Sequence, residues 1–232
     1  MSGVEDASGG GATLRWPVWT QQSWIYAEAL RSLAELNEQC LELLCEQALL
    51  AGPQPGPALL VELRTLWCAL DVHALRRAAL CPYLVLDAGF TRAARWGVAR
   101  ERLVQDRERT PAVRAFFSTP RTIPVTRQVF TFAWHLARSD AGAARLLLGM
   151  SAQCAQLIAA CTLRHIYQLA ELAADWLEPR WPDRLGVWRE FLSAALAGEP
   201  ATLERARLHG LQLLAAQARA AEADPSSDRE RQ

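Results

Sequence analysis

The chain has 232 residues, of which 51% are apolar and 22% charged, with 25 basic and 25 acidic side chains. That length and apolar content supply a core for one large or two small domains and exclude a chain that is disordered throughout. A formal net charge of zero excludes a uniformly basic coat for nucleic acid, and every basic residue is an arginine.

Residues 1–15, MSGVEDASGGGATLR, lack the apolar stretch of a signal peptide and are expected to form a disordered tail. No run of about 18 apolar residues follows, so no membrane span and a cytoplasmic location are expected. An N-terminal helical region is expected over 16–110. In it Leu30, Leu33, Asn37, Cys40, Leu41, Leu44 and Ala48 recur at intervals of three and four, which predicts a long amphipathic helix capped by Thr20 after Pro17. AGPQPGP (51–57) stops it. Pro57 suits the first turn of a second helix, whose stripe is Leu59, Leu60, Leu63, Leu66, Trp67 and Leu70 and which ends before Pro82. The two helices are expected to form an antiparallel hairpin. Residues 83–86 have strand character but no visible partner, so they read as an extended buried connector. Residues 91–109 read as a helix with a charged face, and STPRTIP (118–124) as the domain boundary.

A second helical domain is expected over 125–221, with a disordered tail over 222–232. Helices are predicted near 125–139, 140–149, within 151–174, and, after the WLEPRWP break, near 183–197 and 200–221. Asp140 precedes AGAARLLL as an N-cap, and Gly149 ends it. Ser151 caps AQCAQLIAAC and Thr162 caps LRHIYQLAEL. Two short capped helices with a tight joint make a helix-turn-helix-like unit. The fold class is therefore all-α, a helical hairpin region followed by a multi-helix domain, and no repeat of fixed period is evident.

Residues 133–171, AWHLARSDAGAARLLLGMSAQCAQLIAACTLRHIYQLAE, resemble the FlhD family, a subunit of a bacterial flagellar transcription regulator. The resemblance rests on Ala133, Leu136, Asp140, Ala144, Leu148, Gly149, Ala159, Ala160, Thr162, Leu163, Leu169, Ala170 and Glu171. It implies an all-helical, FlhD-like domain that forms a homo-oligomer or joins a zinc-bearing FlhC-like partner protein to bind DNA. The chain departs from the pattern in its long N-terminal region, in its helices after the match, and at Leu177, where the family carries an inter-subunit cysteine.

Residues 121–170 hold five arginines against the single acid Asp140. Arg121, Arg127, Arg138, Arg145 and Arg164, with His165 and Gln168 near the start of the last helix, are the DNA-binding candidates. The first tryptophan cluster, Trp16, Trp19 and Trp24, and the second, Trp176 and Trp181 with Trp188, read either as core anchors or as partner-docking residues. The six cysteines have no C-x-x-C spacing, which disfavours zinc and redox motifs and predicts buried reduced thiols, so neither metal nor cofactor is expected. Cys161 and His165 could approach across a turn, but a nucleophilic pair needs that contact, an orienting acid and an oxyanion site. Glu171 and Asp175 read as a solvated face. GGGA (9–12) lacks the lysine and helix of a phosphate loop. The expected function is thus non-enzymatic: transcription regulation by association, with a helical adaptor without DNA binding as the alternative.

Overall fold

The structure is a computed structural model that describes residues 18–51, 56–104, 115–117 and 119–223. The described residues are all-α apart from two two-residue strands. In chain order they form α1 (Val18–Leu50), α2 (Ala58–Glu62), α3 (Arg64–Ala69), α4 (Val72–Ala79), β1 (Leu86–Asp87), α5 (Ala93–Val104), α6 (Thr122–Ser139), α7 (Ala141–Leu148), α8 (Ala152–Ala159) and α9 (Leu163–Leu172). A 3-10 turn (Ala174–Trp176), β2 (Glu178–Pro179), α10 (Leu185–Ala197) and α11 (Pro200–Ala223) follow.

The single helix expected after Pro57 is three. Leu63, at φ −102° and ψ 13°, ends α2, and Leu70, at ψ 108°, ends α3. Asp71 then accepts the Ala74 N–H at 2.7 Å and starts α4. An aspartate carboxylate competes for backbone N–H groups, so it caps a new helix here rather than continuing the old one. α1 begins at Val18, ahead of the expected cap at Thr20. α6 begins at Thr122 and takes Pro124 into its first turn, where a missing N–H costs no helical bond.

The connector at 83–86 is buried as expected but has a partner. β1 pairs antiparallel with β2, Leu86 opposite Pro179 and Asp87 opposite Glu178. Beside it, Leu84 N–H donates to Leu147 O at 2.9 Å and Arg180 N–H to Val85 O at 3.0 Å. The connector's backbone groups are thus satisfied by two distant segments, the end of α7 more than 60 positions away and the β2 strand more than 90.

The two expected regions, 16–110 and 125–221, share one hydrophobic cluster that runs from Leu33 in α1 to Leu214 in α11. α1 lies along α6, and α10 packs on α3 and α4. Of the polar side chains buried in this core, Asn37, Thr122, Thr126 and Arg180 are hydrogen-bonded. Asn37 donates to the carbonyls of Ala79, Cys81 and Tyr83 and accepts the Val85 N–H. Arg180, with 4% of its side chain exposed, donates from Nε to Leu84 O at 2.6 Å and from Nη2 to Leu148 O, with Asp87 3.7 Å away. These bonds tie the connector to α1, α7 and β2, which is what buried polar groups must achieve to be tolerated.

Candidate interaction surface

All three expected caps of the α7–α9 stretch form. Asp140 accepts the Ala143 N–H at 2.9 Å, Ser151 the Cys154 N–H at 3.1 Å, and Thr162 the His165 N–H at 3.2 Å. Gly149 closes α7 in the left-handed region at φ 63°. The joint between α8 and α9 is pinned from α6, because the Trp134 indole N–H donates to Cys161 O at 2.8 Å. α8 and α9 both rest chiefly on α5 and α6 rather than on each other. α9 therefore presents one outward face, made by Leu163, Arg164, Tyr167 and Glu171. Leu163 is 39% exposed and Tyr167 41%. His165 and Gln168 are half-buried at its margin.

The arginines do not share a basic face. Arg121 meets Glu42 at 2.7 Å and Glu46 at 3.7 Å on α1. Arg127 meets Glu171 at 2.9 Å and lies over the Tyr167 ring at 5.5 Å. Arg138 lies over the Trp134 ring at 4.9 Å. Arg145 is exposed on α7 but is not without a partner, and Arg164 is exposed on α9. Ion pairs at such exposure contribute little stability. They do, however, set three carboxylates beside two of the five cations, which offsets the positive potential around Arg121 and Arg127.

Trp176 and Trp181 are built into the fold. Trp176 meets Trp96 edge-on at 5.4 Å and carries the Arg95 guanidinium 4.2 Å above its ring. Trp181 meets Tyr83 at 5.8 Å and donates from Nε1 to Gln217 at 2.8 Å. Trp16 lies outside the described residues, as do the side chains of Trp19 and Trp24.

The Cys161 thiol donates to Leu157 O at 3.3 Å, and burial raises its pKa, so it does not pair with His165 as a nucleophile. Burial also pushes Cys45 and Cys81 up to about 12, and Cys40 higher still. Among the described residues no three His, Cys, Asp or Glu side chains cluster as metal ligands, and no helix is long and apolar enough to cross a membrane.

An open groove of ≈ 400 Å³ runs between α1, α6 and α9, lined by Ser32, Glu35, Gln39, Arg127, His135 and Tyr167 among others. No motif in the sequence announces it, since its walls come from α1, from α6 about a hundred positions later, and from Tyr167 of α9 beyond that. Comparison with protein-family models, curated proteins and solved structures finds no match to the chain.

Proposed function

We propose that the chain is a non-enzymatic regulatory protein of the FlhD type that acts in the cytoplasm by associating with other proteins, and that it does not read DNA alone. The observation that carries this reading is the fate of the arginines: Arg121 and Arg127 stand against Glu42, Glu46 and Glu171, and Arg138 lies on Trp134. A phosphate-binding face needs unopposed cations. The outward side of α9 instead combines Leu163 and Tyr167 with one cation and one acid, a mixture suited to a protein partner. The FlhD reading draws its support from residues 133–171, whose Leu148–Gly149 and Thr162–Leu163 landmarks fall at helix ends. An FlhC-like subunit is the partner this reading expects. The adaptor reading shares the protein-association step and drops the DNA target.

Two measurements test the proposal. Fluorescence anisotropy with labelled duplex DNA at physiological salt is expected to show only nonspecific affinity, with Kd no tighter than about 10⁻⁶ M. Sequence-selective nanomolar binding that Arg145→Ala with Arg164→Ala abolishes, leaving the helical circular dichroism intact, would refute autonomous inactivity on DNA. A nuclease-treated pull-down from the native host separates the two readings. Recovery of an FlhC-like subunit or RNA polymerase supports the regulator, and recovery of motility, secretion or envelope proteins supports the adaptor.

A further inference from the structure

Apart from the 3-10 turn before β2 and from α11, the described elements of the first part of the chain recur in the same order in the second. α1 and α6 are each followed by two short helices (α2 and α3; α7 and α8), a capped helix (α4; α9), a two-residue strand (β1; β2) and a helix after a tight turn (α5; α10). Shifted by 89 positions, the buried Leu33, Leu36, Asn37, Cys40, Leu41 and Leu44 fall on Thr122, Val125, Thr126, Val129, Phe130 and Ala133, which are all buried too. Asn37, the buried polar side chain of α1, falls on Thr126, a buried polar side chain of α6. Shifted by 91, the cap Asp71 falls on the cap Thr162, and the exposed Val72 falls on the exposed Leu163.

The turns repeat as well. Shifted by 92, Gly89 at φ 69° falls on Trp181 at φ 51°, the one non-glycine with positive φ among the described residues. Arg92 N–H donates to Gly89 O, and Arg184 N–H to Trp181 O, both at 2.9 Å. Trp96 falls on Trp188, and each indole N–H donates to a carbonyl beside its turn, Gly89 at 3.1 Å and Arg180, one residue ahead of Trp181, at 2.7 Å. A non-glycine held at positive φ is uncommon, so its coincidence with a glycine of the same φ and the same following turn is informative.

The halves exchange their final helices. α4 packs on α1 of its own half and on α10 of the other; α9 packs on α6 of its own half and on α5 of the other. Trp96 of α5 sits 4.7 Å from Phe130 and 5.4 Å from Trp176, both in the second half. Trp188 of α10 sits 5.5 Å from Trp67 in the first. In the strand pair, the shift of 92 sets Leu86 and Asp87 on Glu178 and Pro179, and the pairs Leu86–Pro179 and Asp87–Glu178 exchange under a twofold axis between them, as the antiparallel strands allow.

We infer that the chain is a tandem duplication folded as the single-chain equivalent of a swapped dimer. The exchange surface (β1 with β2, α5 on α8 and α9, α10 on α3 and α4) is used within the chain, and the partner that fits it is the chain's own other half. One chain is the complete unit, in place of the homo-oligomer that the sequence resemblance implies. The inference rests on the fold alone and stands or falls separately from the regulatory reading.

Light scattering on the intact protein at micromolar concentration is expected to give the mass of one chain, 25.7 kDa. A specific protease site inserted between residues 105 and 114 and then cut is expected to leave both fragments in one 1:1 particle with unchanged helical circular dichroism. Trp96→Ala with Trp188→Ala is expected to weaken association of the cut fragments at least about tenfold, the equivalent of about 1.4 kcal/mol. The milder pair Trp96→Phe with Trp188→Phe weakens it less and guards against a variant that simply unfolds. A stable dimer of the intact chain, cut fragments that separate as independently folded particles, or fragment association indifferent to both tryptophan pairs would overturn the inference.

Discussion

Replacing Arg180 tests whether the buried guanidinium holds the centre of the fold together. Its Nε and Nη2 donate to Leu84 O and Leu148 O, and Asp87 is 3.7 Å from Nη1. In Arg180→Met most of the stem volume survives while both donors and the charge disappear. Two buried carbonyls then lose their partner at about 1–3 kcal/mol each. Asp87, itself partly exposed, loses its counter-charge, a smaller cost because water reaches it. The expected loss is about 3–5 kcal/mol, a large part of the roughly 5–15 kcal/mol typical of a folded domain. For a chain of this size that is a fall in Tm of about 6–20 °C, read by differential scanning calorimetry. Arg180→Lys keeps the charge but loses the fork geometry and is expected to fall between the two. A methionine variant within about 1 kcal/mol of the parent would refute the reasoning, because the carbonyls would then be satisfied without the arginine.

Three further outcomes follow from the same core. A thiol reagent at pH 8 is expected to modify Cys68 quickly and the other five cysteines only after denaturation, since Cys68 is exposed and burial raises the pKa of Cys40, Cys45, Cys81 and Cys161. Burial, with Asp87 nearby, holds the Glu178 carboxyl above its usual pKa, so the folded state binds its proton more tightly than the unfolded chain and stability falls as pH rises from the unfolded pKa through the folded one. Glu178→Gln is expected to flatten that part of the profile in urea titrations and to leave stability at pH 7 equal or higher; a steeper profile would count against it. Gly210→Ala, a change worth roughly 1 kcal/mol of gain in an ordinary helix, is expected to cost about 1–3 kcal/mol in α11, because the new Cβ would overlap the buried Tyr83 ring.

The helices and caps from Thr122 to Ala223 were legible because local chemistry decides them. Asp140, Ser151 and Thr162 each stand one residue before an apolar run, and Gly149 stands after one, so side chain and backbone settle the ends without help from the rest of the fold. The fate of the arginines was not legible, because Glu42 lies 79 positions before Arg121 and Glu171 lies 44 after Arg127. Nor was the division of 58–79, where breaks at Leu63 and Leu70 interrupt the leucine stripe and Asp71 starts a new helix. The duplication hid for two physical reasons. Equivalent positions share a role rather than an identity, as with Asp71 and Thr162 or Gly89 and Trp181. Loop length also changes the shift from 89 to 91 to 92, so no fixed period survives. Burial and φ are the quantities the two halves share, and neither is visible in a string of letters.

The two sides of the α1–α6 seam show where the halves parted. On one side Arg121 bridges the helices to Glu42 and Glu46. Shifted by 89 positions, those three places are Ser32, Thr131 and His135, and all three line the open groove. A serine is too short to cross, and neither partner is a carboxylate, so the seam stays open on that side. The groove therefore lies where the seam lacks the bridge that its other side carries. Ser32→Arg with Thr131→Glu restores the equivalent of the Arg121–Glu42 pair. A double-mutant cycle on those two positions is expected to show a favourable coupling of about 0.2–1 kcal/mol at low salt, the usual range for an exposed pair. Near 1 M salt the coupling is expected to vanish, since screening then acts over about 3 Å. The individual changes, at exposed or half-buried places, are expected to be close to neutral. If both single variants fold and no coupling appears at low salt, Ser32 and Thr131 do not face each other as Arg121 and Glu42 do, and the twofold fails at its centre.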